Sequence, residues 1–142
     1  MCSVMSNSHT ISRGGMAIAK GYRDLLVWQK GIALVKEVYS LTKGFPDEER
    51  FGLISQMPRA AVSIPSNIAE GQARHTTREF FLSISHAEGS LAELDTQMTI
   101  CTELGFCRGT MAAHAESVLQ LAEELRRMLN SLRRKLECWF VC

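Results

Sequence analysis

Apolar residues recur along most of this chain in alternating steps of three and four, the spacing that keeps one face of an α-helix turned toward its partners. The pattern predicts four helices. In the first, over residues 24–43, Leu25, Trp28, Ile32, Val35 and Tyr39 form one stripe, and Val27, Leu34, Val38 and Leu41 form a second beside it. Together they make an apolar face wider than one bundle seam needs. Val27, Leu34, Val38 and Leu41 are therefore candidates for contact between subunits, and Gly44 is the expected left-handed stop.

The second helix is expected to open at Pro46, Asp47, Glu48 and Glu49, because proline suits a first turn and acids suit the positive end of the helix dipole. Its seam is Ile54, Met57, Ala61, Ile64 and Ile68, ending near Gly71. Pro58 and Pro65 fall inside it, about two turns apart, and each removes a backbone hydrogen bond, so a kinked helix is expected. Thr76 and Glu79 read as a capping box for the third helix. Its seam is Phe80, Ile84, Ala87, Leu91, Leu94, Met98 and Cys101, with a stop at Gly105. The fourth starts near Thr110, with Met111, Ala115, Val118, Ala122, Leu125, Leu129, Leu132 and Leu136 on its seam. No stretch of residues 24–137 alternates with the period of a strand. Four long helices with short connections make an all-α, antiparallel up-down four-helix bundle. The bundle is expected over residues 21–137, after an extension at 1–20 and before a short tail at 138–142.

Composition narrows the picture mainly by what it removes. A chain of 142 residues with a net charge of +1 fits one domain and announces no polyanion by bulk charge. No apolar run reaches the ~18 residues needed to span a bilayer, and residues 1–20 lack the apolar core of a secretory signal. A cytoplasmic protein with no membrane partner is expected. Cys2, Cys101, Cys107, Cys138 and Cys142 are odd in number and contain no C-x-x-C pair, so reduced, structural thiols are expected.

Two segments carry a resemblance: Tyr22-Arg23-Asp24-Leu25-Leu26-Val27-Trp28-Gln29-Lys30, and Arg59-Ala60-Ala61-Val62-Ser63-Ile64-Pro65-Ser66-Asn67-Ile68-Ala69-Glu70-Gly71. With Gly89-Ser90-Leu91-Ala92-Glu93-Leu94 and Arg127-Met128-Leu129-Asn130, they resemble the four-helix-bundle proteins found as reading frames within intervening sequences of bacterial 23S ribosomal RNA genes. The resemblance covers about residues 22–136. It implies a homopentamer. More distantly, the chain is similar to the accessory protein of diversity-generating retroelements, a basic pentameric bundle that binds reverse transcriptase and nucleic acid. Residues 1–20 and 138–142 fall outside the resemblance, and Met16, just before it, is a candidate true start. Pro58 stands where such proteins often carry a basic residue.

Chemistry is sparse. Ser63, Ser66, Asn67 and Glu70 cluster, but no histidine lies near them in sequence to serve a nucleophile. They read better as small and polar groups that let helices approach and bond carbonyls freed by the prolines. A di-iron bundle needs Glu-x-x-His pairs. This chain has His86 with Glu88 and His114 with Glu116, two apart and on different sides of a helix. No enzyme, metal or cofactor is expected.

Charge is unevenly spread. Glu79, Glu88, Glu93, Asp95 and Glu103 fall on the third helix without a Lys or Arg among them, and Arg126, Arg127, Arg133, Arg134 and Lys135 fall together on the fourth. An antiparallel pair would set Glu79 near 133–135 and Glu88 near Arg126. With Arg74, His75 and Arg78 from the turn between helices two and three, the bases form a candidate phosphate-binding end. The expected function is a non-enzymatic homo-oligomeric scaffold that binds RNA, DNA or ribonucleoprotein through its basic ends. The alternative is a module that engages another protein and no nucleic acid.

Overall fold

The computed structural model describes residues 21–141, with the side chains of Phe140 and Val141 excepted. The extension at 1–20, with Met16 and Cys2, lies outside the described residues, as does Cys142. Four helices form: α1 (Leu26–Thr42), α2 (Leu53–Ala73), α3 (Thr77–Glu103) and α4 (Ala112–Val141). α1 packs on α2 and α4, and α3 packs on α2 and α4. The chain is thus an all-α up-down four-helix bundle. Among the described residues there is no strand, and no helix is long and apolar enough to cross a membrane.

The core follows from periodicity. Every predicted seam position of α3 is buried, as are all those of α4 except Met111, which packs half-buried against the core. A buried leucine stabilises the fold by roughly 1.5–3 kcal/mol, and α4 alone contributes Leu125, Leu129, Leu132 and Leu136. On α1 the core takes Val27, Leu34, Val38 and Leu41, each no more than 1% exposed.

The helix ends depart from expectation in instructive ways. Pro46 and its three acids open a single 3-10 turn, Asp47–Glu49, and α2 begins only after Gly52. Glu49 still serves α2, accepting a hydrogen bond from the Leu53 N–H at 3.4 Å. Gly44 is not left-handed; among the described residues the positive-φ ones are Gly105 and Gly109. What Gly44 supplies is space, since any Cβ there would collide with the Met111 side chain. Gly105, at φ 81°, closes α3 as expected. The Phe106 N–H reaches the Cys101 carbonyl at 2.9 Å and the Gly105 N–H reaches Thr102 at 3.0 Å, a Schellman cap. At the other end of α3 the Glu79 N–H donates to Thr76 Oγ1 at 3.1 Å. The Glu79 carboxylate reaches back to that same hydroxyl, at 2.9 Å.

α2 runs through both prolines, which are buried. Pro65 denies the Ala61 carbonyl its usual donor. Around that position Ser63 donates to Ala60 at 2.8 Å, Ser66 to Val62 at 2.8 Å and Asn67 Nδ2 to Ser63 at 2.7 Å. Ser63, Ser66 and Asn67 of the polar cluster are thus bound to the backbone of their own helix. α4 continues through 138–141, so this stretch is helical and not a separate tail.

Candidate interaction surfaces

The four α1 residues expected at a subunit contact are not available to one. Val27, Leu34, Val38 and Leu41 fill the bundle's own core. Spacing alone resolves two stripes, and which one faces inward depends on the neighbours. α1 must turn Gly31 toward Pro65 and Lys30 toward Glu124, which carries the other stripe outward except for Leu25, which is buried in the core.

That outward stripe has a counterpart that sequence reasoning missed. Trp28, Ile32, Val35 and Tyr39 of α1 step by 4, 3 and 4, and so do Pro58, Val62, Pro65 and Ala69 of α2. The Gly31–Pro65 contact sets their antiparallel levels, with Trp28 level with Ala69, Ile32 with Pro65, Val35 with Val62 and Tyr39 with Pro58. The result is an apolar ribbon along the outside of the α1–α2 seam, carried by Trp28, Ile32, Val35 and Tyr39 with Val62 and Ala69, while Pro58 and Pro65 are buried beneath it. Ile32 is 37% exposed, Tyr39 49% and Val62 39%. At one end Tyr22 packs on Trp28, ring centroids 5.4 Å apart, and the Arg23 guanidinium lies 5.6 and 5.8 Å from the two rings. The shared 4-3-4 step was the signal in the sequence.

The expected basic end is dispersed. Glu88 pairs with Arg133 at 2.8 Å, and it also lines one groove with Arg126, the neighbour expected for it. After the Schellman cap the α3–α4 link continues through a 3-10 turn, Gly109–Met111, before α4. Arg133 also donates to Asn130 at 2.8 Å and lies 3.9 Å from Glu137. Arg126 and Arg127 both pair with Glu123. They stand roughly 15 Å up the helix from Leu136, beside a groove between α3 and α4 lined by Leu91, Asp95 and Leu119. Arg74 pairs with Glu70 at 3.5 Å. Glu79, expected near 133–135, is engaged with Thr76.

What stays together at the base is a small cleft. Arg74, His75, Phe80, Leu136 and Trp139 line it, with Arg78 exposed on the first turn of α3 and Arg134 on α4. Among the described residues no ion pair engages His75, Arg78 or Arg134. Lys135 is half-buried and engaged in interactions of its own. His114 reaches across to α1, its Nδ1 2.9 Å from Glu37.

A family model described as 23S rRNA-intervening sequence protein matches residues 23–131. The match begins at the Arg23 that caps the apolar ribbon, covers α1, α2 and α3, and runs into α4 as far as Ser131. No curated protein matches the chain.

Proposed function

The chain belongs to the 23S rRNA-intervening sequence protein family, and on that footing we propose that it is a non-enzymatic, cytoplasmic scaffold that assembles with copies of itself. The observation that carries this reading is the ribbon of Trp28, Ile32, Val35, Tyr39 and Val62 along the α1–α2 seam. An exposed apolar ribbon of this kind gains free energy when a second apolar surface covers it. The resemblance to pentameric bundles carries the count to five. A ring of that kind joins unlike surfaces of neighbouring subunits. The odd number of cysteines and the lack of any C-x-x-C pair support a reducing compartment. The binding of Ser63, Ser66 and Asn67 to their own backbone supports a role without catalysis.

Light scattering on the wild type and on the pair Ile32→Glu, Val62→Glu tests the reading. The wild type should run as a stable oligomer at micromolar concentration, and the double variant as a folded monomer. A monomeric wild type, or a variant of unchanged mass, defeats it. A ribbon that serves another polypeptide instead would leave the wild type monomeric.

Nucleic-acid binding is the second reading, and His75, Arg78 and Arg134 at the base favour it. Five-fold repetition would gather these cations into a ring able to hold phosphates. Arg78→Gln with Arg134→Gln leaves the Arg133–Glu88 pair untouched, so it removes charge without loosening the bundle. Each lost phosphate contact should lower the salt slope of RNA or DNA binding by about one. Binding absent at low salt, or unchanged in slope, rejects this reading.

A further inference from the structure

Cys101 ends the core stripe of α3, and Cys107 follows the Schellman cap six residues on. The cap folds the chain back so that the two sulfurs lie 3.1 Å apart. Cys101 is fully buried, and its thiol reaches the Met98 carbonyl at 3.3 Å, which leaves the sulfur free to accept from the Cys107 S–H. Cys107 is only half-buried. A disulfide has an S–S length of about 2.05 Å, so roughly 1 Å of approach separates the contact from a bond. We propose that Cys101 and Cys107 are an oxidisable dithiol, closed to an intrachain disulfide by a low-molecular-weight disulfide such as oxidised glutathione, which locks the α3–α4 link.

The order of events follows from exposure. The Cys107 thiolate attacks one sulfur of oxidised glutathione and expels one glutathione thiolate, which leaves a mixed disulfide. Burial and the neighbouring Cys107 push the Cys101 thiol up to about 12, so Cys101 stays protonated and does not react first. Once it gives up its proton, its sulfur attacks that of Cys107 and expels the second glutathione thiolate. Two protein thiols lose two protons and two electrons, and one oxidised glutathione becomes two reduced glutathiones. The bond would close a short loop around Gly105 and hold Phe106 against Phe45, where the rings already lie 5.3 Å apart.

The full-length chain, folded and incubated with oxidised glutathione, provides the test. A protease that cuts after Glu103 separates the two cysteines, so without reductant their peptides stay joined only if the disulfide has formed. The expected result is joined peptides that part on reduction, with Tm raised by roughly 5 °C. Cys101→Ser should stop at the glutathione adduct on Cys107, with no rise in Tm. Should that variant fail to fold, the wild-type peptide map decides alone. Glutathione retained on Cys107, both thiols still open to alkylation, or either cysteine bonded elsewhere would overturn the proposal.

Discussion

Gly31 of α1 lies against Pro65 of α2 so closely that a Cβ on the glycine would stand 3.2 Å from the proline's own Cβ. Two residues poorly suited to helix interiors thus meet at one crossing, and each accommodates the other. Gly31→Ala gains about 1 kcal/mol in helix propensity and loses a comparable amount by pressing on the rigid proline ring. Its urea stability should stay within about 1 kcal/mol of wild type. Gly31→Leu cannot be accommodated and should cost about 2–3 kcal/mol.

The two stripes of α1 separate in a mutational experiment. Leu34→Ala removes a fully buried side chain and should cost about 2–5 kcal/mol by chemical denaturation. Ile32→Ala should cost the isolated subunit less than about 1 kcal/mol, with its larger effect on subunit mass. Sequence spacing could not decide between these stripes. A single-stripe helix such as α3 has only one way to face inward, which is why Phe80 through Cys101 were legible without a structure. For α1 the decision lies in Gly31, which fits only against another helix, and that requirement is written on Pro65.

Arg133 and Glu88 are 28% and 24% exposed at the side chain and link α4 to α3. A double-mutant cycle with Arg133→Gln and Glu88→Gln should give a coupling of about 0.5–1 kcal/mol. The Arg126–Glu123 pair, more exposed and within one helix, should couple by no more than about 0.5 kcal/mol. The charges themselves were legible in the sequence, but their partners were not. The helix register itself was legible, since Glu88 and Arg126 do line one groove. Which long side chain reaches which carboxylate depends on side-chain length and direction as well as on register.

Alkaline stability should carry the mark of Cys101. Its folded-state value of about 12 lies above the ordinary 9.0, so above pH 9 the unfolded thiol sheds its proton while the folded one keeps it. The unfolded state then binds fewer protons and stability falls as pH rises, by up to about 1.4 kcal/mol per pH unit. Below pH 9 the contribution is fully present. Cys101→Ala lacks this slope. The stability gap between wild type and variant, read from urea midpoints, should therefore narrow from pH 9 upward and stay constant below it.

Three of the four seams of the bundle join helices that are consecutive along the chain, and the fourth joins α1 to α4. His114 meets Glu37 across 77 residues of sequence, and Lys30 meets Glu124 at 2.7 Å on the same seam. Helical hairpins form early because their contacts are local, whereas a distant pairing must wait for the ordering of all that lies between. The α1–α4 seam is thus expected to close last and to part first. Substitutions along it should act on how long the closed bundle lasts more than on how fast it forms.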